Sequence, residues 1–414
     1  MGSVIAAFTF LTIFLAAYIQ LVSFGYCHNI SLDGSVGDDI FSHTRHMLEN
    51  GLGQTPPMGW NSWNTFRCNV TEKIVRETAD AIVATGLDKL GYVYINLDDC
   101  WAEKKRDKEG KLVARASKFP SGIKALADYI HSKGLKFGIY SDAGKYTCSR
   151  TQPGSLGHEE LDAMTFASWG VDYLKYDNCY SKHILPQVRY SRMRDALLKT
   201  GRPIFYSLCE WGKLHPALWG KKVGNSWRTT GDIKGTWHSI TTRADLNNKW
   251  AKYAGPGGWN DPDMLEVGNV NLTIPESRSH FALWALMKAP LLTGCDVRNM
   301  DKTTLEILSS KDLIFINQDK LGIQGRKVSR KRHVEVWAGP LAYERLVVVM
   351  WNRGKVGKNI TAEWKDIGLK SNLVVQVRDA WKREELSPSY VGSLTAEVGP
   401  RDSKMYILLK ESGR

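Results

Sequence analysis

The 414-residue chain reads as an α/β protein, a (β/α)8 TIM barrel followed by a small antiparallel β-sandwich domain. Three observations predict this. Eight short apolar, β-rich runs recur between residues 58 and 296, six of them closing on a carboxylate. Amphipathic helical stretches separate them. After about Gly325 the helical periodicity stops and short alternating segments take over.

In chain order, residues 4–24 are almost wholly apolar and close on small residues, and a polar stretch rich in Ser, Asp and His follows. Residues 1–47 are therefore expected to be a signal peptide and propeptide, although the basic n-region of such a signal is missing. A retained anchor is the alternative, because about 20 apolar residues can span a bilayer. No later segment is that long and apolar, so no membrane association is expected after signal removal.

Residues 48–325 are expected to form the barrel. Its runs are Met58-Gly59-Trp60, then residues 92–99, 137–142, 171–177, 204–210, 226–232, 258–264 and 290–296. Between them, Ile74, Val75, Ala79, Ile82 and Val83 share one helical face, and Ile123, Leu126, Ala127 and Ile130 share another. Parallel strands need helical crossovers, which cover either the outside of a barrel or both faces of an open doubly wound sheet. The open sheet is the structural competitor. In a barrel the active site lies at the C-terminal ends of the strands, where these acids fall.

The last segment, 326–414, holds alternating stretches at residues 333–338, 345–351, 373–377 and 403–409, with turns such as Asn352-Arg353-Gly354 between them. It carries no acid constellation, and packing against the barrel is its expected role.

Net charge is +13, and would be about +15 without residues 1–47, which carry three Asp and one Arg. Residues 326–414 hold eighteen Lys and Arg against ten Asp and Glu, clustered at Arg326-Lys327 and Arg330-Lys331-Arg332. No nucleic-acid motif accompanies the cluster, so a solvated basic face is expected rather than nucleic-acid binding, with a polyanionic cell-wall polysaccharide as a candidate partner. Four Asn-x-Ser/Thr sequons, at Asn29, Asn69, Asn271 and Asn359, fit a secretory route. Of seven cysteines, Cys27 falls in the leader. The other six allow 15 pairings, and position favours joining adjacent loops, Cys68 with Cys100 and Cys148 with Cys179. Cys209 and Cys295 are left as free thiols.

The chemistry concentrates at the run ends. Lys175 and Asp177 alternate onto one face, so the ammonium is expected to keep the carboxylate ionised, as a displacement nucleophile must be. An interior salt bridge is the plainer reading. Arg228 and Asp232 share a face two strands away, and Asp232, beside Ile233, is the better candidate for a raised pKa; helix N-capping is its alternative role. Two carboxylates across a barrel mouth suit glycoside hydrolysis, retaining if about 5–5.5 Å apart and inverting if wider. Asp98 and Asp99 suggest capture of sugar hydroxyls or metal ligation; the latter is disfavoured by few histidines, with no His-x-His pair. Asp261 and Asp263 add two acids on one face. Among fifteen tryptophans, Trp60, Trp63, Trp101, Trp211 and Trp259 fall near run ends, where indoles can stack on sugar C–H faces.

The segments Met58-Gly-Trp-Asn-Ser-Trp63, Asn96-Leu-Asp-Asp-Cys-Trp101, Tyr173-Leu-Lys-Tyr-Asp-Asn-Cys179, Leu208-Cys-Glu-Trp211, Ser226-Trp-Arg-Thr-Thr-Gly-Asp232 and Gly258-Trp-Asn-Asp-Pro-Asp-Met264 strongly resemble glycoside hydrolase family 27, the plant acid α-galactosidases above all. The likeness runs from about Leu48 to near the C-terminus. It implies a retaining double displacement without cofactor, in which Asp177 attacks the anomeric carbon and Asp232 acts as acid, then base. It implies that Trp63, Asp98, Asp99, Tyr140, Lys175, Arg228, Asp263 and Met264 surround the galactose, with Cys148, Cys209 and Trp211 in the same substrate site. Asp98 and Asp99 would select the galactose epimer. The two disulfides named above match the family's. The implied substrates are galacto-oligosaccharides, galactomannan side chains and galactolipids. An α-N-acetylgalactosaminidase, which needs small residues where Trp211 stands, and a β-L-arabinopyranosidase are rivals within the family. A lectin-like barrel and a metal-dependent hydrolase are rivals outside it.

Overall fold

The computed structural model describes residues 48, 50–181, 183–269 and 271–410. The expected signal peptide and propeptide, with Cys27 and the Asn29 sequon, lie outside the described residues.

Eight parallel strands form one sheet: β1 (Met58–Asn61), β2 (Tyr94–Asn96), β3 (Lys136–Asp142), β4 (Tyr173–Asp177), β5 (Phe205–Leu208), β6 (Ser226–Arg228), β7 (Trp259–Asp261) and β8 (Leu291–Thr293). Each pairs with the next through β7, and β8 pairs with β1. The ring closes where the Leu265 N–H bonds the Leu292 carbonyl at 2.8 Å and the Gly294 N–H bonds the Leu265 carbonyl at 3.0 Å. The open-sheet alternative is thereby excluded. Several strands are shorter than the apolar runs, so Asp98, Asp99 and Asp232 stand on loops beyond the strands.

Helices α1 (Glu72–Ala84), α2 (Gly122–Ser132), α3 (Glu159–Ser168), α4 (Pro186–Lys199), α5 (Trp237–Asn248) and α6 (Ile274–Leu286) make the crossovers, and α7 (Lys302–Leu308) and α8 (Lys311–Asn317) follow β8. The β5–β6 crossover has no α-helix, only short 3-10 turns at Pro216–Leu218 and Gly220–Lys222, so strict strand–helix alternation fails there. α1 starts where the Thr71 hydroxyl accepts the Ile74 N–H, and buries Val75, Ala79 and Ile82. α2 buries Ile123, Leu126, Ala127 and Ile130, the stripe the sequence shows. α6 is buried nearly all round, from Ser279 to Leu286, because the C-terminal domain covers its outer side.

Inside the barrel, side chains alternate along β4. Tyr173 stacks on Phe205 with ring centroids 4.9 Å apart, and together with Tyr94, Met264 and Leu292 forms an apolar plug. Lys175 and Asp177 are on this inner side. Tyr176 points out, packing edge-on against Tyr190 of α4 at 5.6 Å.

The C-terminal domain has eight strands: β9 (Arg326–Lys331), β10 (Val334–Leu341), β11 (Arg345–Asn352), β12 (Lys358–Glu363), β13 (Val374–Asp379), β14 (Glu384–Val391), β15 (Ser393–Val398) and β16 (Ser403–Lys410). Six form an antiparallel sheet in the order β14-β13-β16-β11-β10-β9, and β12 and β15 form a small second sheet. Period-2 alternation divides β11 between two cores. Val347, Val349 and Trp351 join the barrel core, whereas Val348 and Met350 face the second core with Ile360, Ala362 and Leu394. An ion-pair cluster reinforces the junction. Glu335, fully buried, accepts from Lys327 Nζ and Arg353 Nη1, both at 2.9 Å, and these cations also meet Asp245 of α5. Part of the basic cluster therefore holds domains together, while Arg326, Lys331 and Arg332 are exposed.

Candidate active site

Loops at the C-terminal ends of the strands enclose a cavity of about 930 Å³. Asp177, the last residue of β4, lines it and is 7% exposed. Its carboxylate accepts from the Tyr140 hydroxyl and from the Asn178 N–H, each at 2.9 Å. Burial pushes its pKa from 3.8 up to about 6; Lys175 and the Tyr140 hydroxyl pull down, and Asp232 and Asp98 push up. The expectation that Lys175 keeps Asp177 ionised has the right sign but the wrong balance. Lys175 Nζ donates to Asp98 Oδ2 at 2.7 Å, so its strongest interaction is elsewhere. Asn61 donates to that same oxygen at 2.8 Å. Asp99 accepts the Ser149 N–H at 3.0 Å, and burial holds its carboxyl above the usual range.

Arg228 ends β6 with its side chain only 3% exposed, and one guanidinium nitrogen lies 3.1 Å from both Asp232 Oδ1 and Asp263 Oδ2. Asp263 also accepts the Ile233 N–H at 2.8 Å, which ties down the loop carrying Asp232. Asp263 itself sits at φ +84°, a left-handed conformation held by its N–H to Asp261 Oδ1 at 2.8 Å and by Trp284 Nε1 to its carbonyl at 2.7 Å. Asp232 has its side chain 68% exposed at the rim. Partial burial would raise its pKa, but Arg228 and Lys175 outweigh this and hold the carboxyl below the usual range. The expectation of a raised pKa at Asp232 is overturned, because Arg228 reaches it. Nor does Asp232 cap a helix: the cap of α5 is Thr236, whose side chain accepts from Ser239.

Comparison with known proteins decides what this arrangement belongs to. The sequence model described as alpha galactosidase A matches residues 55–319, and that of the alpha galactosidase C-terminal beta sandwich domain matches residues 331–408. The alpha-galactosidase of Coffea arabica is 64% identical over 364 residues, covering 88% of this chain and 96% of that protein. Alpha-galactosidase I from Mortierella vinacea superposes with a TM-score of 0.85 at 38% identity, over 87% of this chain and 98% of the other. The Saccharomyces cerevisiae alpha-galactosidase solved with raffinose gives 0.80 at 35% identity, over 87% and 99%.

The chain belongs to the α-galactosidase family. It is a glycoside hydrolase of family 27.

In this α-galactosidase the cavity also brings together Trp63, Asp98, Asp99, Tyr140, Cys148, Lys175, Trp211, Arg228, Asp263 and Met264. Cys209 is the exception. It is 1% exposed and lies beneath the cavity floor, 3.5 Å from an Arg228 nitrogen, so it forms no wall. Of the five tryptophans assigned to the rim, only Trp63 and Trp211 are there. Trp60, Trp101 and Trp259 are fully buried, their indole N–H groups bonded to the carbonyls of Cys295, Tyr140 and Gly53 at 2.9, 2.9 and 2.7 Å.

Disulfides join Cys68 to Cys100 and Cys148 to Cys179, and Cys148 and Cys179 border the cavity; Cys209 and Cys295 are free and buried. Among the described residues, one group, Asp142 with Cys148 and Cys179, has metal-ligand proximity, but the disulfide occupies both sulfurs. Sequence reasoning missed Asn64, Glu266 and Asn269, which line the same cavity. The signal was available for Glu266: it stands three residues after Asp263. Among the described residues, no helix is long and apolar enough to cross a membrane.

Proposed function

We propose that this enzyme removes terminal α-D-galactosyl residues by a retaining double displacement, with Asp177 as nucleophile and Asp232 as acid and then base. The supporting observation is that these two carboxylates line one cavity with the acceptor pair Asp98 and Asp99. Asp98, paired with Lys175, and Asp99 would receive galactose hydroxyls. A glucose epimer would leave buried acceptors unpaired, which makes such discrimination strong.

The resting protonation runs opposite to what the first step needs. Below about pH 6 the pair holds one proton, and the burial that lifts Asp177 and the Arg228 guanidinium that depresses Asp232 both draw it toward Asp177. A sugar seated over the pair strips water from the exposed Asp232 and raises its pKa, while charge developing at the anomeric carbon favours ionised Asp177. Binding thus moves the proton toward the acid that the leaving oxygen requires. The same reading sends the chain along the secretory route. Two disulfides and exposed sequons at Asn69, Asn271 and Asn359 fit an oxidising compartment. Raffinose-type oligosaccharides and galactose-bearing wall polysaccharides are the proposed substrates, and Trp211 is the proposed bar to an N-acetyl group.

The test compares initial rates on aryl α-galactoside, aryl α-N-acetylgalactosaminide and aryl β-L-arabinopyranoside, with the anomer of the first product read by NMR. Fast cleavage of the galactoside with α-galactose released first is expected. β-Galactose as first product would overturn the double displacement.

A further inference from the structure

The cavity is larger than a single hexose needs: about 930 Å³ lies at the upper end of the range for much larger ligands. A galactose over Asp177 is bounded by Asp98, Asp99, Tyr140 and Lys175. The remaining space continues past Asp232, between the loop after β6 and the loops after β7 and β1. An acid protonates the oxygen joining galactose to its leaving group, so the leaving group must lie on the acid's side.

Glu266 lines that lobe and touches all three loops, at Asn64, Asn269 and Gly235. It is only 5% exposed overall yet borders the cavity. Its Oε1 accepts from Asn64 Nδ2 at 2.6 Å, and its Oε2 accepts from Asn269 Nδ2. Its main-chain N–H bonds Nε2 of the buried His280 at 3.0 Å, an imidazole that burial keeps neutral with a pKa pushed down to about 3. The loop of the acid closes directly on it. A Cβ at Gly235 would stand 3.3 Å from Glu266 Oε2, so glycine leaves that oxygen uncovered. A carboxylate offers about four acceptor positions, and the two amides use two of them.

We propose that Glu266, braced by Asn64 and Asn269, is the leaving-group subsite, where its free acceptor positions bind hydroxyls of the sugar to which galactose is attached. This rests on Asp232 being the acid. Lys234, Thr236 and the two asparagines make the lobe polar, which suits a glycosyl leaving group and not an acyl chain. The polyhydroxylated leaving sugar is thereby part of what this enzyme recognises.

The test measures kcat/KM for raffinose and for an aryl α-galactoside, with thermal midpoints, in wild type, Glu266→Gln and Asn64→Ala. Glu266→Gln keeps the shape and loses acceptor strength; Asn64→Ala removes the brace and leaves the carboxylate. The raffinose-to-aryl ratio is expected to fall about tenfold in each, the scale of a hydrogen bond to a charged group. Parallel loss on both substrates, or an unchanged ratio in both variants, would overturn the subsite. Absence of turnover on both substrates by the wild type would instead overturn the parent reading.

Discussion

Replacing Asp177 by Asn should make the protein more stable at neutral pH while abolishing turnover. The carboxyl is 7% exposed, and its pKa is raised from 3.8 to about 6, chiefly by burial. A group whose folded pKa lies above its unfolded one favours the fold when protonated, so that stability is present in acid and lost as pH rises through the folded value. At pH 7 the wild type has lost about 2 units of such linkage, roughly 3 kcal/mol at about 1.4 kcal/mol per unit. Asparagine never ionises and carries no such loss. Its oxygen can still accept the Asn178 N–H, and its amide can donate to the Tyr140 hydroxyl with the bond reversed. Thermal midpoints of both proteins at pH 4 and pH 7 are the assay. The variant should exceed the wild type clearly at pH 7, with the difference shrinking toward pH 4. A variant less stable at pH 7, or an offset equal at both values, would refute the claim that buried charge at Asp177 opposes folding.

Four further outcomes can be checked. The pH profile of kcat/KM on an aryl α-galactoside should fall above about pH 6, where the free enzyme loses the proton carried by Asp177; a rate still rising to pH 8 would contradict this. Glu335→Ala should destabilise the chain by about 1–3 kcal/mol, because it removes the buried acceptor shared by Lys327, Arg353 and the Trp337 indole N–H while Asp245 still pairs both cations; denaturant unfolding showing a change under about 1 kcal/mol would place the junction's stability elsewhere. Trp211→Ala should raise the rate on aryl α-N-acetylgalactosaminide relative to galactoside, and an unchanged ratio would remove Trp211 from specificity. Cys148→Ser with Cys179→Ser should lower kcat/KM without unfolding the chain, since both residues border the cavity; full activity in the double variant would make that disulfide dispensable to the site.

What the sequence makes legible follows from which features are periodic. Buried parallel strands give apolar runs, and one-face helices such as α1 and α2 give stripes, so barrel and crossovers can be read without coordinates. The β5–β6 crossover could not be read that way, because Pro216–Leu218 and Gly220–Lys222 form tight turns rather than a helix. Asp177 and Asp232 were visible as polar ends of runs. Their protonation order was not, because it depends on Arg228 reaching across four residues to Asp232 and on loops covering Asp177. The tryptophans fail for a similar reason. An indole near a strand end can point at solvent or at a distant carbonyl, and for Trp60 the partner is Cys295, far along the chain.

The charges around Asp177 connect these observations. Lys175 is committed to Asp98, and Arg228 is shared by Asp232 and Asp263. Asp177 and Asp99 are left without a dedicated cation, and both have pKa values raised by burial. A site built for stability alone would place a cation beside each carboxylate. On the proposed mechanism the shortfall is useful, because an oxocarbenium-like transition state develops positive charge beside Asp177, and an undercompensated carboxylate stabilises that charge more than a paired one would. The stability that Asp177→Asn should restore at pH 7 and the turnover it should remove then have one origin: negative charge held out of water, hydrogen-bonded to Tyr140 and the Asn178 N–H but with no cation paired to it until the sugar develops positive charge.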